Sequence, residues 1–277
     1  MYTHGMARLL LGVLVVGLGS GGASGPVEAQ GKPSAPIATI FQARLGETEI
    51  RTPEISTDEL KTLLRSDSVL LLDTRPHLEW AISHIPGAKN VAPKPGVPMS
   101  QYTSDVAEVE RLVAGNRTRT LVLYCNGPFC GKSKRVSDDL IAAGYTNVQR
   151  YQLGAPVWRA LGGIMVTELD GLRHILEKDG TAVVIDARDP VEFATRSLPG
   201  ARNIPRSKVL TGKDVGEVKA AKDDGRLPME DHNTRIIVFG QDAEQARAVA
   251  EALIREAFHN VSYFAGALGS LHGLMTR

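Results

Sequence analysis

The chain has 277 residues, enough for one large domain or two ordinary ones, and 43% of them are apolar, which permits a packed core. Its 32 Lys and Arg nearly balance 31 Asp and Glu, for a formal net charge of +1. The strong basic excess of a nucleic-acid binder is missing, so nucleic acid is not the expected partner.

The first 29 residues read as a targeting segment. Arg8 precedes the apolar run Leu9 to Leu18, then the Gly/Ser-rich stretch from Gly19 to Gly25, then Val27-Glu28-Ala29. A charged start, an apolar middle and small residues before a cut after Ala29 describe a signal peptide. A membrane anchor is the alternative, but a span needs ~20 apolar residues. No cysteine lies near the cut to take a lipid. The expectation is an exported, periplasmic protein with no membrane contact after signal removal. Residues 30–53 read as a polar leader, loosely ordered, with Pro33 and Pro36.

Strands and helices then alternate. Ser56 or Thr57 caps a short helix. The apolar run 68–72 reads as a strand buried on both faces. A short helix follows over 78–83, a turn at Pro86-Gly87, and a brief strand over 89–92. Further on come a buried strand over 121–124, a helix over 133–143 ending at Gly144, and a strand over 148–151. This order predicts an α/β fold with a parallel sheet covered on both sides.

The same plan occurs twice. Asp73-Thr-Arg75, Glu79-Trp80 and His84-Ile-Pro-Gly-Ala-Lys-Asn90 correspond to Asp186-Ala-Arg188, Glu192-Phe193 and Ser197-Leu-Pro-Gly-Ala-Arg-Asn203, 113 positions on. A second block, Thr120 to Tyr124 with Gly144-Tyr145-Thr-Asn147-Val148, matches Arg235 to Phe239 with Ala257-Phe258-His-Asn260-Val261. So many spaced agreements imply duplication. The domains are placed at 54–165 and 166–277. In the second, strands are expected over 183–185, 236–239 and 261–264, with a helix over 244–257. Residues 93–118 and 206–233 are polar inserts, the latter with a surface helix over 213–222.

These motifs resemble the rhodanese family of thiosulfate sulfurtransferases, over about residues 54–275. Asp73-x-Arg75, Glu79-Trp80, the His84 to Asn90 set, the strand–Cys125–loop–helix unit and Trp158 carry the resemblance. It implies two tandem rhodanese-like domains, each a parallel sheet flanked by helices. It also implies transfer of sulfane sulfur from thiosulfate or a related donor to a thiol or cyanide, through a persulfide on Cys125, with no cofactor and no metal. Partners on this reading are a small sulfur-containing anion, a thiol acceptor and a protein bound through the second domain.

The chain departs from the family pattern in three places. Cys125 is followed by Ser133 eight positions on instead of six, which resembles a subgroup with a second loop cysteine. Gly240 stands where Cys125 stands in the first copy, so the second copy reads as non-catalytic. Ser197 replaces His84.

The residues of the loop suggest its chemistry. Cys125 is the candidate nucleophile, seated where backbone N–H groups and a helix start stabilise an anion. Asn126, Gly127, Gly131, Lys132 and Ser133 form the candidate anion-cradle loop. Gly127 and Gly131 allow tight curvature, Lys132 adds charge and Ser133 caps the helix. Cys130 either resolves a persulfide on Cys125 or locks the loop as a disulfide. Asp73, Arg75 and His84 are supporting residues. Asp73 and Arg75 brace the loop or approach the substrate, and the former is favoured because the pair recurs in the copy without cysteine. His84 caps the turn before Pro86, Glu79 and Trp80 hold their helix against the sheet, and Trp158 joins the core.

Two other readings stay open. One is a redox or binding module without turnover. The other is a cysteine-dependent phosphatase, weakened because Lys132 and Ser133 stand where such an enzyme needs a bidentate Arg.

Overall fold

A computed structural model describes residues 39–48, 51–66, 68–94, 96, 98 and 105–276. The candidate signal peptide lies outside the described residues.

The first domain comprises α1 (Thr57–Leu63), β1 (Val69–Asp73), α2 (His77–Ile82), β2 (Lys89–Asn90), α3 (Asp105–Val113), β3 (Thr120–Tyr124), α4 (Gly131–Ala142), β4 (Val148–Tyr151) and α5 (Gly154–Ala160). The second comprises β5 (Met165–Thr167), α6 (Leu169–Lys178), β6 (Val183–Asp186), α7 (Pro190–Thr195), β7 (Arg202–Asn203), α8 (Gly216–Asp223), β8 (Ile236–Phe239), α9 (Ala243–Arg255) and β9 (Val261–Phe264). Both sheets are parallel, in the orders β2-β1-β3-β4 and β5-β9-β8-β6-β7. At the outer edge of the first sheet, Glu54 bridges Arg150 of β4. Two tandem α/β domains, each a parallel sheet flanked by helices, are therefore present.

Strand side chains alternate between faces, and here both faces are covered. In the first domain Leu71, Val122 and Tyr124 enter one apolar cluster, while Leu70, Leu72, Leu121 and Leu123 enter the other. In the second, Val183, Ile185, Ile236 and Val238 face one cluster and Val184, Ile237 and Phe239 the opposite one. The short strand β5 serves both domains. Met165 packs into the first core and Val166 into the second.

Ser56 is the cap of α1. Its Oγ accepts from the Glu59 backbone at 3.3 Å, and Glu59 accepts from the Ser56 N–H at 2.7 Å. This reciprocal pair satisfies two helix-end donors.

The leader is not loose where it is described. Arg44 pairs with Glu59, Glu47 reaches Arg150, and the Gly46 N–H donates to Glu54. The insert over 93–118 contains α3, whose Val109 and Val113 are buried four residues apart on one face. The helix expected over 213–222 begins later, at Gly216, because Asp214 and Gly216 take left-handed backbone angles. Its Val218 and Ala221 are buried, so it packs on the domain. Helices α5 and α6 were not expected from the sequence. Among the described residues no helix is long and apolar enough to cross a membrane.

Candidate functional site

Both cysteines lie in the loop from β3 to α4. Cys125 directly follows the buried Tyr124 and is only 4% exposed. Cys130 is the N-cap residue of α4. The two form a disulfide, with Cα atoms 6.1 Å apart, inside the usual range for such a bond. The sulfur of Cys125 is thereby held at the start of α4.

Three sets of contacts shape this loop. Within it, the Cys130 N–H donates to the Gly127 carbonyl at 3.0 Å. Gly127 has φ +103°, a region that side chains resist. On one side, the Ala155 N–H donates to the Cys125 carbonyl at 3.1 Å. Gly154 lets this happen, since a Cβ there would sit 2.4 Å from the Cys125 carbonyl oxygen.

The third set runs through Gln152, which is 4% exposed. Its Nε2 donates to the carbonyls of Pro128 (3.1 Å) and Cys130 (3.4 Å). Its Oε1 accepts from Ser133 Oγ (3.3 Å) and Arg150 Nη1 (2.6 Å). Arg150 is fully buried and is satisfied by Thr52, Glu47 and Glu54 as well. Sequence reasoning missed Arg150 and Gln152. The signal available was a charged residue inside an otherwise apolar strand, which demands buried partners.

Several expectations for the loop need correction. Helix α4 starts at Gly131, because Cys130 is the last residue with extended backbone angles. Ser133 is therefore inside the first turn and does not cap it. Its hydroxyl turns to Gln152. Gly131 has no left-handed angle, and a Cβ there would meet nothing within 4 Å, so it gives the loop no glycine-dependent curvature. Glu79 accepts a hydrogen bond from Asn126 Nδ2, tying α2 to the loop. Lys132 is half-buried and makes no ion pair among the described residues. Phe129 at the loop tip is wholly exposed.

No side chain caps α4. The first N–H groups of any α-helix lack intrahelical partners, so this end can receive an anion. The second domain differs at the same place. Asp242 accepts from the Gln245 N–H at 2.8 Å, and Gln245 Oε1 accepts from the Gln241 N–H at 2.7 Å. One N–H of its helix start is therefore engaged by a side chain, as is the Gln241 N–H of the loop before it.

Asp73 and Arg75 are buried together. Arg75 Nη2 donates to Asp73 (2.6 Å) and to the Ser83 carbonyl (2.6 Å). Burial opposes the guanidinium charge, but the Asp73 carboxylate outweighs it and raises the pKa further. Asp186 and Arg188 repeat this geometry, with Arg188 Nη2 at 2.6 Å from Asp186 and 2.6 Å from the Arg196 carbonyl. Asn90 and Asn203 brace the two turns alike, each donating to the backbone of its own Asp–Arg pair. The arrangement is complete where no cysteine exists.

His84 does not cap the Pro86 turn. Its Nδ1 meets the Trp80 carbonyl at 3.0 Å, and its ring stacks on Trp80. Its backbone pairs in both directions with Val166 of β5. Burial pushes its pKa down to about 4, so the ring is neutral near pH 7. Trp158 is buried in the first core and donates to the Ile164 carbonyl at 2.9 Å. A cavity of about 560 Å³ lies at the junction, lined by His77, Trp80, His84, Lys89, Glu168 and Tyr263 among others, and by neither cysteine. Among the described residues no cluster of His, Cys, Asp and Glu could hold a metal.

Comparison with known proteins bears on this geometry. A chain from Mycobacterium tuberculosis (strain ATCC 25618 / H37Rv), described as the HTH-type transcriptional regulator Rv0324, is 32% identical over 137 residues. The match spans 48% of this chain and 52% of that protein, about half the length of the curated relative. Among solved structures, SseA from Escherichia coli, a 3-mercaptopyruvate sulfotransferase, is 18% identical with a TM-score of 0.33, covering 78% of this chain and 98% of its own. The thiosulfate sulfurtransferase from Pseudomonas aeruginosa is 20% identical with a TM-score of 0.31, covering 78% and 41%. The rhodanese-like domain family matches residues 56–161 and again 168–271, most of the chain. The chain belongs to the rhodanese-like domain family, with two such domains in tandem.

Proposed function

We propose that the chain is a sulfurtransferase, moving sulfane sulfur from thiosulfate or a related donor to a thiol or cyanide acceptor through a persulfide on Cys125. One observation carries the reading: Cys125 follows a buried central strand, and its sulfur is linked to the N-cap residue of an uncapped helix. Once the disulfide is reduced, the helix start favours the thiolate over the thiol. The thiolate attacks the outer sulfur of thiosulfate, and sulfite leaves. The persulfide anion that results is stabilised by the same N–H groups. Lys132 contributes a point charge for the incoming dianion. Asp73, Arg75 and His84 act by supporting the fold around the site.

The test is turnover with thiosulfate and cyanide or a dithiol, using wild type, Cys125→Ser and Cys130→Ser. Cys125→Ser is expected to lose transfer and Cys130→Ser to keep some. Mass spectrometry of Cys130→Ser after thiosulfate should find one added sulfur on the fragment containing Cys125. Equal activity in wild type and Cys125→Ser overturns the reading.

A second reading, a redox or binding module, is favoured by one fact: both cysteines are tied up in the disulfide. On that reading the second domain, with Gly240 in place of cysteine, recognises a protein partner. We also propose export to the periplasm. The pattern of residues 1–29 supports it, and a disulfide suits an oxidising compartment. Fractionation of cells producing the full chain checks it.

A further inference from the structure

We propose that Cys130 resolves the Cys125 persulfide within the loop, so that the protein reduces sulfane sulfur to sulfide and returns to the disulfide seen here. The inference rests on the sulfurtransferase reading and names the fate of its sulfur.

The structure supplies two reasons. The first is reach: the disulfide shows that Cys130 Sγ can bond directly to Cys125 Sγ, the inner sulfur of any persulfide on that residue. The second is that Cys130 is held in place by more than the disulfide. Its N–H is bound by the Gly127 carbonyl, and its own carbonyl and that of Pro128 are bound by Gln152. Gln152 is in turn locked by the buried Arg150 and by Ser133. These contacts do not involve sulfur, so they persist when the S–S bond is cut. A thiol fixed beside its target competes with outside thiols at a very high effective concentration.

The step balances. The Cys125 thiolate and thiosulfate give Cys125–S–S⁻ and sulfite. The Cys130 thiol then attacks Cys125 Sγ. A bond forms between the two cysteine sulfurs, and the persulfide S–S bond breaks with its electron pair on the terminal sulfur. That sulfur takes the proton of Cys130 and leaves as HS⁻. The cysteines are oxidised by two electrons and the sulfane sulfur is reduced by two. A thiol reductant must then reopen the disulfide. It enters at Cys130, which is part-exposed while Cys125 is buried. The overall reaction is thiosulfate and two thiols to sulfite, sulfide and a disulfide. The protein therefore stands downstream of a reaction that delivers thiol reducing equivalents.

The experiment is a single turnover. Full-length protein is reduced, freed of reductant under nitrogen, and mixed with thiosulfate. Sulfite, sulfide and free thiols are counted per protein. For wild type the expected result is about one sulfite and one sulfide, with both thiols lost to a disulfide and no lasting mass gain. For Cys130→Ala the expected result is one sulfite, at least a tenfold drop in sulfide, and a persistent gain of one sulfur on the Cys125 fragment. Sulfite with a stable persulfide and no sulfide from wild type overturns this inference and leaves sulfur transfer standing. No sulfite and no added sulfur overturns both. The wild-type counts decide the matter even if the variant folds poorly.

Discussion

The two domains share a sheet, a strand order and an Asp–Arg brace, yet they treat one helix start in opposite ways. In the first, six residues from Cys125 to Cys130 separate β3 from α4, and no side chain caps the helix. In the second, three residues from Gly240 to Asp242 suffice, Asp242 caps the Gln245 N–H, and Gln245 Oε1 takes the Gln241 N–H of the loop. The supports differ as well. Arg150 on β4 matches Tyr263 on β9 by its place opposite Leu123 and Val238. Among the described residues, the Arg150–Gln152 network reaches the carbonyls of the first loop. A duplicated fold can thus leave a helix start uncapped in one copy and cap it in the other with the chain's own carboxylate.

The largest expected effect falls on the half proposed to be active. Cys125→Ser should lower sulfur transfer by at least roughly 10³-fold in a thiosulfate turnover assay, because Cys125 is the proposed nucleophile and Cys130 only its resolving partner. Changes in the second domain's loop, such as Asp242→Ala, should leave that turnover within about twofold.

The next separates the domains by pH. Burial holds His84 near 4, below its value of about 6.5 when unfolded. Between those values the unfolded chain binds more protons than the native one, so stability rises with pH. It is fully present above pH 6.5 and falls away as pH drops toward 4, by about 3 kcal/mol for a shift of this size. His84→Ser, which copies Ser197, should flatten this part of a urea-derived stability profile.

Gly154→Ala should follow. Its Cβ would strike the Cys125 carbonyl, and φ is +67°. A loss of about 2 kcal/mol is expected in denaturant unfolding, together with a slower disulfide closure. Gln152→Ala should cost about 1–2 kcal/mol, since it removes one partner of the buried Arg150 and frees the loop carbonyls. Asp242→Ala should cost about 1 kcal/mol, the ordinary value of a helix cap, read as a lowered melting temperature.

Much of the fold was legible because its signals are local. Val69 to Leu72, Leu121 to Leu123 and Ile236 to Val238 are apolar at every position, which only a strand buried on both faces needs. α3 was harder, since Val109 and Val113 are two apolar positions in a polar insert. α5 and α6 lacked a cap of the kind Ser56 provides. For the site, Cys125 could be placed at a strand end from spacing alone. The start of α4 could not, because it depended on the backbone angles of Cys130 rather than on a capping hydroxyl at Ser133.

Taken alone, the sequence determined the duplication, the parallel strands and the one domain that carries cysteine, since these are written in runs and repeats a few residues long. The tertiary structure decided that Cys125 and Cys130 close on each other, that Gln152 and Arg150 hold them, and that His84 is neutral. Each depends on groups brought together from distant segments: Arg150 and Thr52 meet across 98 residues of chain. Such contacts are set by how the sheet stacks its neighbours, and no local pattern encodes a distance of that kind.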